Sequence, residues 1–169
     1  MVLATACGKE DPVLDDAAVA RDESEINSSE VYLDDGAIAL AGEAETSTEF
    51  TDAAASAFAQ VNAIRVAAGL NELAWNSDLE TAARVRATEA TGYFSHTRPD
   101  GSAWYTVDSR VMYGENLAKG FYNGDSVVTA WVNSPTHYAN LVKPGFKTMA
   151  IVIVAADNGT WYWAQEFGY

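Results

Sequence analysis

From residue 51 onward, apolar residues recur every third or fourth position: Ala57, Phe58, Val61, Ile64 and Ala68 line one stripe, and Gly69 follows it. That spacing predicts an amphipathic helix over residues 51–70 with a glycine at its C-terminal cap. Leu73, Ala74 and Trp75 cross over to a second helical pattern. It opens on a capping box, Ser77-Asp78-Leu79-Glu80, carries Leu79, Ala82, Ala83, Ala87 and Ala90 on one face, and stops at Gly92. A face this rich in alanine packs close to its neighbour. A third helix is predicted over residues 126–133. Strand-like runs at 149–156 and 161–167 flank Asp157-Asn158-Gly159, and Asn-Gly between two such runs is a hairpin signal. The order helix, helix, loop, helix, hairpin predicts an α+β domain with helices packed on an antiparallel sheet.

The first fifty residues lack this patterning. Residues 1–52 hold 14 acids and two bases, Lys9 and Arg21, with Tyr32 and Phe50 as the only aromatics, whereas all five tryptophans lie in residues 53–169. Such a leader buries too little to offset the entropy of ordering its backbone, so residues 1–50 are read as an acidic, mostly disordered tether and 51–169 as the domain. The alternative is a short strand pair docked on the domain, Val31-Tyr32-Leu33 and Ala37-Ile38-Ala39-Leu40 around Asp34-Asp35-Gly36. The start, Met1-Val2-Leu3-Ala4-Thr5-Ala6-Cys7-Gly8, looks like the end of a bacterial lipoprotein signal, which makes Cys7 a candidate for lipidation.

A net charge of −14 argues against nucleic acid and against electrostatic docking on anionic lipid, both of which need a basic face. A single cysteine makes no internal disulfide. No run approaches the roughly 18 apolar residues of a membrane-spanning helix.

The two histidines, His96 and His137, stand in Ser/Thr/Pro/Gly-rich segments read as lying between regular elements, and Glu115 lies between them in Tyr113-Gly114-Glu115-Asn116-Leu117. Two imidazoles and a carboxylate are the ligand types of an open zinc site and also those of a general acid–base pair. Their separations match no local metal motif, and a histidine taken alone is more often a hydrogen-bonded structural residue than a ligand. Ser134, three residues before His137, stands on a Ser-Pro turn where its hydroxyl is expected to cap rather than attack. Trp104, Tyr105, Tyr113, Phe121, Tyr122 and Tyr138 either line a groove or cover the sheet.

Four ordered blocks are distinctive: Tyr93-Phe94-Ser95-His96-Thr97-Arg98-Pro99-Asp100-Gly101; Tyr113-Gly114-Glu115-Asn116-Leu117-Ala118; Trp131-Val132-Asn133-Ser134-Pro135-Thr136-His137-Tyr138-Ala139-Asn140-Leu141; and Tyr162-Trp163-Ala164-Gln165-Glu166-Phe167-Gly168. With Val61-Asn62-Ala63-Ile64-Arg65 and Ala68-Gly69-Leu70, they resemble the bacterial branch of the CAP superfamily, the SCP-like extracellular domains related to cysteine-rich secretory proteins, antigen 5 and plant pathogenesis-related protein 1. The resemblance covers residues 53–169. It implies a three-layer α-β-α sandwich, a secreted or surface location, and a cleft at His96, Glu115 and His137 supported by Asn116, Ser134 and Asn140. Eukaryotic members gather two histidines and two glutamates there and can hold a divalent metal, often zinc. Here Ala130-Trp131-Val132-Asn133 offers no second glutamate, and Thr136-His137-Tyr138 stands where bacterial relatives have Gly-His-Arg, which removes a cation from the rim.

The function expected is a secreted or surface-tethered binding module whose cleft takes a metal, a small apolar or lipid-like molecule, a cell-wall fragment or a protein loop. The alternative is a metal-dependent, peptidase-like hydrolase with His96 and His137 as zinc ligands and Glu115 as base. A third reading has the loops as structural and the domain as a scaffold.

Overall fold

The computed structural model describes residues 31–32 and 47–169 of the chain. In order the elements are β1 (Val31–Tyr32), α1 (Ser47–Ala67), β2 (Ala74–Trp75), α2 (Ser77–Gly92), a 3-10 turn (Trp104–Val107), β3 (Gly114–Lys119), α3 (Gly124–Asn133), α4 (Pro135–Leu141), β4 (Thr148–Ala155) and β5 (Trp161–Gly168). The tether reading and Cys7 lie outside the described residues, apart from β1 and the first turn of α1. Of the strand pair weighed for the leader, Val31 and Tyr32 form β1, whereas residues 37–40 lie outside the described residues.

The strand order is β1-β3-β5-β4-β2. The long strands β3, β5 and β4 are antiparallel, as the hairpin signal requires, and the two-residue strands β1 and β2 add in parallel at the edges, so the sheet as a whole is mixed. The helices make the outer layers of an α-β-α sandwich. On one face α2 lies against β4 and β5, its Ala83 and Ala87 packed on Leu117, Val152 and Ala164. Alanine on the helix is what lets its backbone come this near the strands. The other face carries α1, α3 and α4, and the larger core sits there, built around Val61, Trp131, Met149, Ile151, Trp163 and Phe167.

Three local readings are refined. Helix α1 begins at Ser47 rather than residue 51, and Phe50 in its first turn packs edge-on against Trp161, with ring centroids 4.8 Å apart. At its other end Gly69 takes φ +75°, while Gly69 N–H bonds Val66 O and Leu70 N–H bonds Arg65 O, a Schellman closure. At α2 the cap is Asn76 rather than the Ser77 of the predicted box: its side chain accepts from the amides of Asp78 and Leu79.

Candidate functional site

The centre of the site is a chain of alternating charges beneath α2. Arg86 interrupts the alanine face of that helix and is fully buried. Its guanidinium grips Glu115 of β3 with two hydrogen bonds, Nε to Oε2 at 2.7 Å and Nη2 to Oε1 at 3.2 Å, and a third bond from Nη2 holds Ser95 O at 2.6 Å. Its Nη1 bonds Glu89 at 2.6 Å, and Arg98 closes the series on Glu89 at 2.7 Å. Holding Ser95 O places the next residue: His96 Nδ1 lies 2.6 Å from Glu115 Oε1. Burial pushes the Glu115 carboxyl up, but the His96 hydrogen bond and the Arg86 charge outweigh it and hold it below its usual range. Glu115 is therefore an ionised acceptor, and Nδ1 of His96 donates to it.

On the other side of β3 the alternation of side chains turns Asn116 toward α4. Asn116 Nδ2 donates to His137 O (3.3 Å) and to Gln165 Oε1 (3.0 Å), while Asn140 Nδ2 donates to Glu115 O (3.2 Å) and Asn116 Oδ1 (3.0 Å). His137 is on helix α4, not in a loop as its Ser/Thr/Pro/Gly-rich surroundings suggested, because Pro135 starts a helix well and Ser134 supplies the turn before it. The Ser134 hydroxyl makes no capping bond; it lies 2.7 Å from His137 Nδ1. Burial, with a smaller contribution from His96, lowers the His137 pKa to about 4, so the ring is neutral at pH 7. His96, Glu115, Asn116, Ser134, His137 and Asn140 thus fall into one region, on elements from both faces of the sheet that meet at β3. Of the aromatic candidates, Trp104 and Phe121 are buried in the core, while Tyr122 and Tyr138 are exposed.

Sequence reading missed Arg86, Glu89 and Glu166. Glu166 is the residue of β5 paired with Glu115, so both carboxyls project from the same face. It is fully buried, and neither carboxyl oxygen has a hydrogen-bond partner among the described residues. Burial, then the charge and proximity of Glu115, raise its pKa well above the usual range, against the opposing pull of Arg86. It is held as a neutral acid beside an ionised one. The signals were a charge on the alanine stripe of α2 and a second acid within the strand run Trp163-Ala164-Gln165-Glu166-Phe167.

Both Glu115 oxygens are engaged, a guanidinium lies against them, and no three His, Cys, Asp or Glu side chains among the described residues gather at ligand spacing. No described helix is long and apolar enough to cross a membrane.

Comparison with known proteins assigns the class that this fold suggests. The family described as "Cysteine-rich secretory protein family" (CAP) matches residues 58–167, and the chain belongs to it. The chain is 33% identical over 113 residues to the uncharacterized protein YkwD of Bacillus subtilis, a match that covers 63% of this chain and 43% of that protein. Among solved structures it resembles an outer surface protein of Borrelia burgdorferi (TM-score 0.58, 23% identity, covering 66% of this chain and 87% of that one). It also resembles an extracellular, SCP-domain protein of Bacillus anthracis (TM-score 0.63, 22% identity, covering 75% and 45%). The chain therefore spans under half the length of YkwD and of the B. anthracis chain.

Proposed function

We propose that this chain is an extracellular or surface-held binding module, not a hydrolase, and that its cleft takes a cell-wall fragment, a small apolar molecule or a protein loop through His96 and the exposed ring of Tyr138. One observation carries this reading: the carboxylate at the centre of the His96–Glu115–Arg86 cluster is saturated. Glu115 is gripped at both oxygens by Arg86 and accepts from His96. A general base must take up a proton at the operating pH, and a guanidinium in bidentate contact opposes that. Nor is a nucleophile activated, since a histidine whose pKa is about 4 is a weak base toward Ser134. The surface location is supported by the family and by relatives described as extracellular or outer-surface proteins. Lipid attachment at Cys7 belongs to the same proposal; labelled lipid should enter the full-length precursor and be absent from Cys7→Ser.

The deciding experiment pairs turnover with binding. A peptide and glycan panel should show no hydrolysis above background, while soluble peptidoglycan fragments titrated into labelled protein should shift the His96 and Tyr138 resonances, an effect lost in His96→Ala. Hydrolysis that disappears in both His96→Ala and Glu115→Gln would overturn the reading in favour of an enzyme.

A further inference from the structure

Strand β4 has eight residues, and β2 covers only Thr148 and Met149. Along positions 150–155, no strand among the described residues pairs with β4 on the side away from β5. Asn76 N–H bonds Met149 O on that side, so by strand alternation the backbone groups of Ile151 and Ile153 point the same way. They open onto a groove of about 420 Å³, with Phe50 and Phe58 of α1 on one flank and Glu80 and Arg84 of α2 on the other. Trp75 closes its β2 end: the ring lies 5.4 Å from that of Phe58, and Nε1 donates to Glu80 Oε2 at 2.9 Å. The sheet edge is thus recessed between two helices. Two such edges cannot meet, and what reaches this one is a single slim strand.

We propose that this groove is a binding site for an extended peptide segment of a partner protein, apolar at alternate positions with an acidic residue between them, which adds to β4 as a strand. Strand β5 separates β4 from β3, so the groove stands apart from the His96 cluster and does not depend on it. The backbone supplies the first half of the recognition. Positions 150–155 run for about 20 Å at roughly 3.3 Å each, and their outward N–H and C=O groups pair with the backbone of an added strand whatever its sequence. The two flanks supply the second half. Ile151 and Ile153 face the α1 layer, in the cluster that holds Ala54 and Phe58, whereas Val152 faces α2 and packs with Ala83 and Ala87. Residues of an added strand beside Ile151 and Ile153 therefore turn toward Phe50 and Phe58, where apolar side chains fit, and the residue between them turns toward Glu80 and Arg84. Charge sets what that residue is. Both Glu80 oxygens are engaged, one by Trp75 and the other by Arg84 Nη2 at 3.3 Å. The Arg84 side chain is 61% exposed, and an ion pair this open neutralises little. A guanidinium carries five donors, so Arg84 has room for a second carboxylate, which an acidic side chain of the segment provides.

The test titrates a short, end-capped peptide that alternates leucine with glutamate into the isotope-labelled full chain. The Ile151 and Ile153 amide resonances and the Trp75 indole resonance should shift together and saturate. Those two amides, open to hydrogen exchange in the free chain, should gain at least about tenfold protection. N-methylation of the peptide backbone should abolish both effects, and a peptide with its leucines and glutamates gathered into two blocks should bind far more weakly. Arg84→Gln should weaken the alternating peptide severalfold while leaving unchanged the binding of a peptide with glutamine in place of glutamate. Ala55→Glu, at an exposed helical position inside the groove, should remove the binding of both peptides without lowering the denaturation midpoint. Absence of saturable shifts at Ile151 and Ile153 overturns the proposal, as do shifts that survive N-methylation. Protection of those amides in the free chain also overturns it, since another part of the molecule would then hold the edge.

Discussion

At the scale of single residues, the site is governed by where charge is buried and what shares it. His137 is the clearest case for pH. Its folded pKa of about 4 lies below the 6.5 of an exposed imidazole, so between those values the unfolded chain binds a proton that the folded chain refuses. Its contribution is complete above about pH 6.5 and is lost as pH falls toward 4, by up to about 3 kcal/mol. Subtracting the unfolding free energies of His137→Gln from those of the unaltered protein across pH 4–7 should expose that slope; a flat difference would contradict the burial argument. Glu166 slopes the other way. Its raised pKa means that the folded state keeps a proton that the unfolded state releases above about 4.5, so its cost grows as pH rises. Glu166→Gln should therefore gain stability over the unaltered protein toward neutral pH and lose the advantage near pH 4, measured by denaturant unfolding. Neither environment could be read from the chain, because it takes β3, β5 and α2 together to set Glu166 beside Glu115 and under Arg86.

At the scale of elements, side chains stitch the helices to their neighbours. Asn62 on α1 exchanges two hydrogen bonds with the backbone of Leu73, at 3.0 and 2.8 Å, and fixes the chain's approach to β2. Arg65, one turn later, donates to the carbonyls of Leu141 and Lys143 at 2.9 and 3.0 Å, closing the end of α4 and so steadying the helix that carries His137. This is the physical content of Val61-Asn62-Ala63-Ile64-Arg65. Helices α1 and α3 touch through Gly124, where an added Cβ would meet Ala53 O and Ala57 N at 2.7 Å, backbone atoms that cannot turn aside. Gly124→Ala should cost about 1–3 kcal/mol, seen as a lower denaturation midpoint with an unchanged slope. The helical periodicity and the Asn-Gly turn were legible because they are local. Strand β3 was not, since Gly114-Glu115-Asn116 carries polar residues where an isolated strand pattern expects apolar ones, and each is satisfied only by partners distant in sequence.

At the scale of the whole molecule, α2 and its following loop bring His96 to Glu115 from one face, while α4 brings His137 against Asn116 from the other. With the carboxylate already engaged by Arg86, zinc titrated calorimetrically into the full chain near pH 7 should give no stoichiometric binding. Binding at one equivalent that vanishes in both His96→Ala and His137→Ala would show that Arg86 yields Glu115 to a metal. The charge is uneven along the chain, since 14 of the 24 acids fall in residues 1–52 and leave residues 53–169 nearly balanced. By itself the sequence determined the three helices with apolar periodicity, the terminal hairpin, the acidic leader and the family motifs, all properties of residues within a few positions of one another or of a fixed order of blocks. Only the tertiary structure decided that Glu115 is a saturated ion and that Glu166 is buried beside it with its carboxyl held toward the neutral form. Those depend on burial and on strand register, which arise when distant segments are brought into contact and water is removed from between them.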